Sequence, residues 1–295
     1  MMHKILNFGS LNIDKTYTVP HIVKPGETLS SLNYEEFVGG KGLNSAIAVA
    51  RAGSQIYMAG AVGQDGDILL NALKESNVDT SHVAQLDALS GHAIIQIDKN
   101  GENCIVLFPG TNASITQKHI DKVLSHFNEG DYLILQNEIN HLDQIISKAH
   151  AKRMIICFNP SPMTQAVLEY PLSDINWFVV NEIEVEQLLG VNEQNEVIEA
   201  FTKKYPNASL LVTLGAKGSY CYHKGELYEQ EAVKANVVDT TGAGDTFTGY
   251  FIHSISTGES IPSSLKIASI ASSIAISKHG ASPSIPTYKE VQAKL

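Results

Sequence analysis

Six short runs rich in β-branched and aromatic residues recur along the chain: ILNFG, IYMAGAV, YLILQ, MIICFNP, WFVVN and LLVTLG. Between them lie segments with helical spacing of apolar residues, among them KGLNSAIAVARAG, DILLNALKESN, HLDQIISKAHAK and VEQLLG. Strand-sized runs alternating with helices imply βαβ units, whose crossovers put helices on both faces of a mostly parallel sheet. The class is therefore α/β. A chain of 295 residues can bury a large core. No internal repeat, low-complexity tract or long linker divides it, so a single domain over 1–295 is expected.

Two segments break the rhythm. KTYTVPHIVKPGETLSSLNYEEF (15–37) and GHAIIQIDKNGENCIVLF (91–108) carry strand-like alternation and turn residues but no helical pattern. KNGE at 99–102 is a tight hairpin signal between two strands. Both segments read as strands added outside the parallel sheet, a small sheet over one edge. It could serve as a lid or as a contact between copies.

Several function classes are excluded at this stage. A net charge of −10 argues against nucleic acid, whose phosphates need clustered Lys and Arg, but not against a small phosphorylated ligand held by local dipoles. Apolar stretches such as DYLILQ are too short to span a bilayer, and the N-terminus lacks the pattern of a signal peptide, so a cytoplasmic protein is expected. Cys104, Cys157 and Cys221 are far apart and read as three reduced core thiols. The histidines show no zinc-ligand spacing.

Two glycine-rich turns invite chemistry. VGGKGLN at 38–44 has the look of a phosphate-binding loop, because such turns expose backbone N–H groups. VVDTTGAGDTFTGYFIHSIS at 237–256 reads as an apolar strand ending at Asp239, a turn, and a helix with Phe247, Phe251 and Ile255 on one face. Gly242, Ala243 and Gly244 then lie at a helix N-terminus, where unsatisfied N–H groups and the helix dipole favour an anion. Asp245 in the first turn could simply favour the dipole. Beside an anion hole it is also suited to taking a proton from a hydroxyl that attacks phosphorus. No G-K-[ST] follows, and the first βα turn, GSLNID, lacks a dinucleotide-binding glycine fingerprint.

DTTGAGDTFTG resembles the C-terminal signature of the PfkB/ribokinase family of carbohydrate kinases, and VGGKGLNSAIAVARAG its N-terminal one. GSLNID at 9–14, NEIE at 181–184, TLGAKG at 213–218 and AISKHGASPSIP at 275–286 match further family segments, in the family's order. The match lies nearest the ribokinase branch. The resemblance implies a three-layer α/β sandwich with a small β-sheet lid at about 11–38 and 91–110, closing over the sugar and pairing with a second copy as a homodimer. It implies ATP-dependent phosphorylation of a pentose, D-ribose at O5. Asp245 would be the base, and the Gly242, Ala243 and Gly244 N–H groups the hole for the γ-phosphoryl group.

The resemblance further implies Mg²⁺ placed through water by Asn181 and Glu184, with Asn181, Thr213, Gly215 and Gly218 at the nucleotide. A K+-type activator would be held by Asp239, Thr241, Ala275, Lys278, Gly280 and Ser284. The sugar would meet Asn12, Asp14, Gly39, Gly40, Lys41, Asn44, Glu138 and Asp245, residue types that suit polyol hydroxyls. VGGKGLN then faces a sugar, with Lys41 a sugar-site neighbour. FPGTN at 108–112 departs from the family pattern, and the lid residues Ala93, Ile95 and Leu107 align only by length and pattern. Both departures bear on the identity of the sugar. A kinase of a nucleoside, deoxyribose or another furanose stays open beside ribose, as does a catalytically silent sugar-binding protein.

Overall fold

The computed structural model describes residues 3–295. The chain runs through β1 (Ile5–Phe8), β2 (Asn12–Thr18) and β3 (Asn33–Gly39) into helix α1 (Lys41–Arg51). There follow β4 (Ile56–Val62), α2 (Asp67–Glu75), β5 (Asp79–Gln85), β6 (Gly91–Ile97) and β7 (Asn103–Phe108). Next come α3 (Gln117–Leu124), β8 (Tyr132–Gln136), α4 (Leu142–Ala151), β9 (Ile155–Asn159), β10 (Trp177–Asn181) and α5 (Glu182–Leu189). The last stretch holds α6 (Gln194–Lys204), β11 (Ser209–Thr213), β12 (Ser219–His223), β13 (Glu226–Gln230), α7 (Ala243–Ser256), α8 (Ile261–Ala275) and α9 (Tyr288–Gln292).

Nine strands form the main sheet in the order β13-β12-β11-β10-β9-β8-β1-β4-β5. Pairing is parallel from β5 to β11, and the β12–β13 hairpin adds an antiparallel edge. The strands are buried on both sides because successive side chains alternate between two cores. Ile5, Ile134 and Leu211 join one core with α1, α7 and α8, while Leu6, Leu133 and Leu210 join the other with α3, α4 and α5. The three-layer α/β sandwich is as expected. Strand order runs outward in opposite directions from β1, a topological switch point at whose carboxyl ends ligands bind in such sheets.

The interrupting segments make a separate four-stranded sheet, β3-β2-β6-β7. Its register sets Phe37, Asp14, Ala93 and Leu107 side by side in one row. The KNGE signal closes the hairpin between β6 and β7. β7 is an edge strand exposed along its whole length. Cys104 lies there and is exposed, which corrects the expectation of three core thiols; only Cys157 and Cys221 are buried.

A second correction concerns Val237, Val238 and Asp239, which form no strand. The β12–β13 hairpin already occupies that edge of the sheet. The valines are exposed, and the Val238 and Asp239 N–H groups both donate to Ile276 O.

Candidate active site

The carboxyl ends of β1, β8, β9, β10 and β11 open toward the N-termini of α1 and α7. Asp245, Lys41, Asn181, Glu184, Thr213, Gly242 and Gly244 line one cleft there, of about 250 Å³, together with Asn159, Ser161 and Thr240. A neighbouring cavity of about 170 Å³ is bounded by Thr213, Gly215 and Gly218 on one side and by Ser269, Ser272 and Ser273 of α8 on the other. Gly244 borders both, so a ligand can run from one to the other.

The two glycine-rich turns prove unlike. In the first, Lys41 N donates to Glu138 Oε2 at 3.1 Å, Gly42 N to Ser10 Oγ at 3.3 Å and Leu43 N to Ser10 O at 3.0 Å. The first-turn donors of α1 are thus consumed by the protein. Gly42 is needed for this packing, because a Cβ there would stand 2.5 Å from Ser10 N. In the second turn, Gly242 takes the left-handed φ of 74° that starts α7. The N–H groups of Gly242, Gly244 and Asp245 have no acceptor among the described residues, while Ala243 N donates to Thr240 O at 3.2 Å. An anion is therefore received by Gly242, Gly244 and Asp245 more readily than by Ala243.

Asp245 is half-buried, and desolvation pushes its carboxyl up to about 6 even though Lys41 and a hydrogen bond from Asn44 pull it down. Asn44 Nδ2 donates to Asp245 Oδ2 at 2.9 Å. The amide oxygen, Asn44 Oδ1, is buried without a protein partner. Burial and then the Glu138 carboxylate push Asp14 up to about 7. Glu138 Oε2 accepts from Ser10 Oγ as well as from Lys41 N, which leaves its second oxygen unengaged by the protein. Asn12 is pinned through Oδ1 by Asn112 Nδ2 at 2.7 Å.

Lys41 was expected beside the sugar, and it lines the cleft with Asp245. Burial alone would lower its ammonium pKa, but Asp245, Glu138 and Glu184 outweigh burial and raise it. Its backbone belongs to the first glycine-rich turn, while the residue lines the cleft with Asp245 and Glu184. Asn181 and Glu184 form a reciprocal capping box at the start of α5, with bonds of 2.9 and 3.0 Å. Such a box stabilises a helix by about 1 kcal/mol. One Glu184 oxygen remains free, and both residues still line the cleft.

Asp239 accepts from Thr241 N and from Gly280 N, both at 2.9 Å, and so ties the turn to the 276–284 segment. Ser284 Oγ donates to Ala281 O and Ala275 O takes Lys278 N–H, so both are already engaged locally. The structure thus joins Asp239, Thr241 and Gly280 directly. Sequence reasoning passed over Ser10, Asn159, Ser161 and the α8 serines. The last were visible as small residues repeated through IASIASSIA, a helix face that a flat ligand can approach.

Residues 2–288 match the family model described as pfkB family carbohydrate kinase. The chain is 32% identical to the ribokinase of Haemophilus influenzae, over 98% of this chain and 97% of that one. Its fold matches a ribokinase from Cryptococcus neoformans var. grubii in complex with ADP, with a TM-score of 0.87, 34% identity, and coverage of 99% of this chain and 100% of that one. It also matches Arabidopsis thaliana ribokinase complexed with ribose and ATP, with a TM-score of 0.87, 27% identity, and coverage of 99% and 98%.

Proposed function

This chain belongs to the pfkB family of carbohydrate kinases, and we propose that it transfers the γ-phosphoryl group of ATP to O5 of D-ribose with Asp245 as base. ATP-dependent phosphorylation of ribose is the activity, and the assignment of roles is our reading of the site. The observation that carries it is Asp245. It is a half-buried carboxylate in the first turn of α7, beside three N–H groups without protein acceptors.

Ribose would lie between Asp14 and Asp245, with Asn44 Oδ1, Glu138 and Asn12 offering acceptors and donors to its hydroxyls. The row Asp14, Ala93 and Leu107 supports the small sheet as a lid whose one face covers the sugar. O5 attacks the γ-phosphorus as Asp245 Oδ takes the hydroxyl proton, and the bond to the β-phosphate oxygen breaks, giving ribose 5-phosphate and ADP. Negative charge on the moving phosphoryl oxygens is met by the Gly242, Gly244 and Asp245 N–H groups and by the Lys41 ammonium. The adenine side fits the cavity between the β11 turn and α8.

The oxygen-rich Asn181 and Glu184 fit Mg²⁺ held through water, which when bound neutralises charge on the ATP phosphates. The all-oxygen set around Asp239 likewise suits a hard monovalent cation such as K+. On the edge strand β7, Ile105, Val106, Leu107 and Phe108 are all exposed. An uncovered apolar edge of this kind suits a second copy, and we read the protein as a homodimer through this sheet. Among the described residues no helix is long and apolar enough to cross a membrane.

A cavity of about 350 Å³ adjoins Asn12 and Glu138 and is bounded by Leu107, Phe108, Ile139 and Pro162. It favours a second reading, in which ribosides with a substituent at the far carbon are also accepted. A coupled assay comparing ribose with inosine and uridine at saturating ATP tests both readings. Saturable turnover with ribose and no response to Asp245→Asn would overturn the proposed mechanism.

A further inference from the structure

The segment from Gly280 to Pro286 touches three parts of the site at once. Ala281 lies against Gly242, so close that a Cβ on the glycine would meet Ala281 Cβ at 3.0 Å. Gly280 N is held by Asp239 at 2.9 Å. Ser282 Oγ donates to Val38 O at 3.3 Å, one residue before the Gly39-Gly40 turn. Only a single short 3-10 turn, Ser282–Ser284, gives the segment regular structure. Its placement must therefore come from clamps outside it.

Two such clamps exist. Arg51 Nη1 donates to Ser282 O at 2.9 Å and to Ile285 O at 2.6 Å. Tyr250 Oη donates to Pro286 O at 2.8 Å. Arg51 is the last residue of α1, whose first turn carries Lys41 and Asn44. Tyr250 sits two turns along α7, whose first turn is the anion-binding one. Each clamp thus runs from a helix that begins in the site to the segment that packs on Gly242. Two main-chain carbonyls held by one guanidinium nitrogen fix a backbone position in a way that a flexible ammonium does not reproduce.

We propose that Arg51 is a positioning residue for phosphoryl transfer. By holding the 282–285 backbone it fixes Ala281 against Gly242, and so keeps the free N–H groups of the 242–245 turn aimed at the phosphoryl group relative to the sugar-side turn. This rests on the reading of that turn as the phosphoryl site. Arg51 lines neither cavity of the site, so its loss acts on alignment. Misplacement by a fraction of an ångström is enough to be costly in a transfer that depends on in-line geometry.

The test uses the full-length protein and separates rate from binding. Arg51→Met is expected to cut kcat about 10–100-fold while the calorimetric Kd for D-ribose stays within about twofold, and Arg51→Lys to recover part of the loss. Turnover is expressed per ribose-binding site, so that a merely less stable protein does not count as a slower one. An unchanged kcat per site in Arg51→Met overturns the proposal even if the melting temperature falls. If Arg51→Met yields no ribose-binding protein, Arg51→Lys decides by the same criterion. Asp245→Asn, assayed in parallel, reports on the phosphoryl-site reading alone. Full activity in that variant sinks the reading, whereas an inactive Asp245→Asn beside a fully active Arg51→Met sinks only the role of Arg51.

Discussion

The turns at 39–42 and 242–245 are both glycine-rich, both begin a helix, and differ in where their donors point. At the start of α1 the N–H groups of Lys41, Gly42 and Leu43 are taken by Glu138 or Ser10, only that of the cap residue Gly40 having no acceptor among the described residues, and the glycine at 42 exists to let two backbones touch. At the start of α7 three N–H groups are left open, and nothing lies within 4 Å of where a Gly244 Cβ would stand. A glycine-rich helix start therefore binds an anion only when the fold has not already spent its donors. On the proposed reading the first turn is a structural joint that presents sugar contacts, and the second is the anion site.

The largest expected effect falls on the second turn. Asp245→Asn should lower kcat by roughly 10²–10⁴-fold in a coupled ATP assay, with little change in the Kd for ribose. Next come the glycines, which should fail in different ways. Gly42→Ala should destabilise the fold by about 1–3 kcal/mol in urea titration, because its Cβ has no room beside Ser10. Gly244→Ala should leave the unfolding midpoint where it is, because nothing lies within 4 Å of its Cβ, and act on the KM for ATP. Equal destabilisation by both substitutions would erase the contrast between the turns.

The pH dependence divides the same two regions. Asp245 must be ionised to act as base, so kcat should fall as pH drops through about 6. Asp14 ionises near 7, so the KM for ribose should rise as pH falls through that value, and Asp14→Asn should abolish this limb. For stability the sign is reversed. A carboxyl whose pKa is raised by folding binds its proton more tightly in the native state, and the stability this gives is lost as pH rises from about 4 to about 7. Asp14→Asn should therefore melt higher than wild type at pH 8 while binding ribose worse, the smallest of these effects. A lower melting temperature there would contradict the burial of an unpaired charge.

Much of this was legible in local pattern. The period of the apolar runs gave the α/β sandwich, KNGE gave the β6–β7 hairpin, and Phe247 and Phe251 gave the buried face of α7. The resemblance supplied the catalytic and sugar residues, and the structure gathers Asp245, Asn181, Glu184 and Thr213 around one cleft. What local pattern could not show is how far-apart segments use each other's atoms. Ser10 consumes the donors of α1 across 32 residues, and Arg51 reaches carbonyls 231 and 234 residues away. Lys41 lines the cleft, where the carboxylates of Asp245, Glu138 and Glu184, far off in sequence, raise its pKa. Val237 and Val238 have strand propensity but no free sheet edge to join, and Cys104 has an apolar neighbourhood in sequence but lies on an exposed edge strand.

The contrast between the turns is tested most directly by a crystal structure of the protein with D-ribose, ADP, Mg²⁺ and aluminium fluoride, a mimic of the phosphoryl group in flight. The fluoride is predicted to sit about 2.7–3.1 Å from the Gly242 and Gly244 nitrogens, with ribose O5 between it and Asp245. Fluoride density against the Gly39–Gly42 backbone, with the sugar elsewhere, would contradict it.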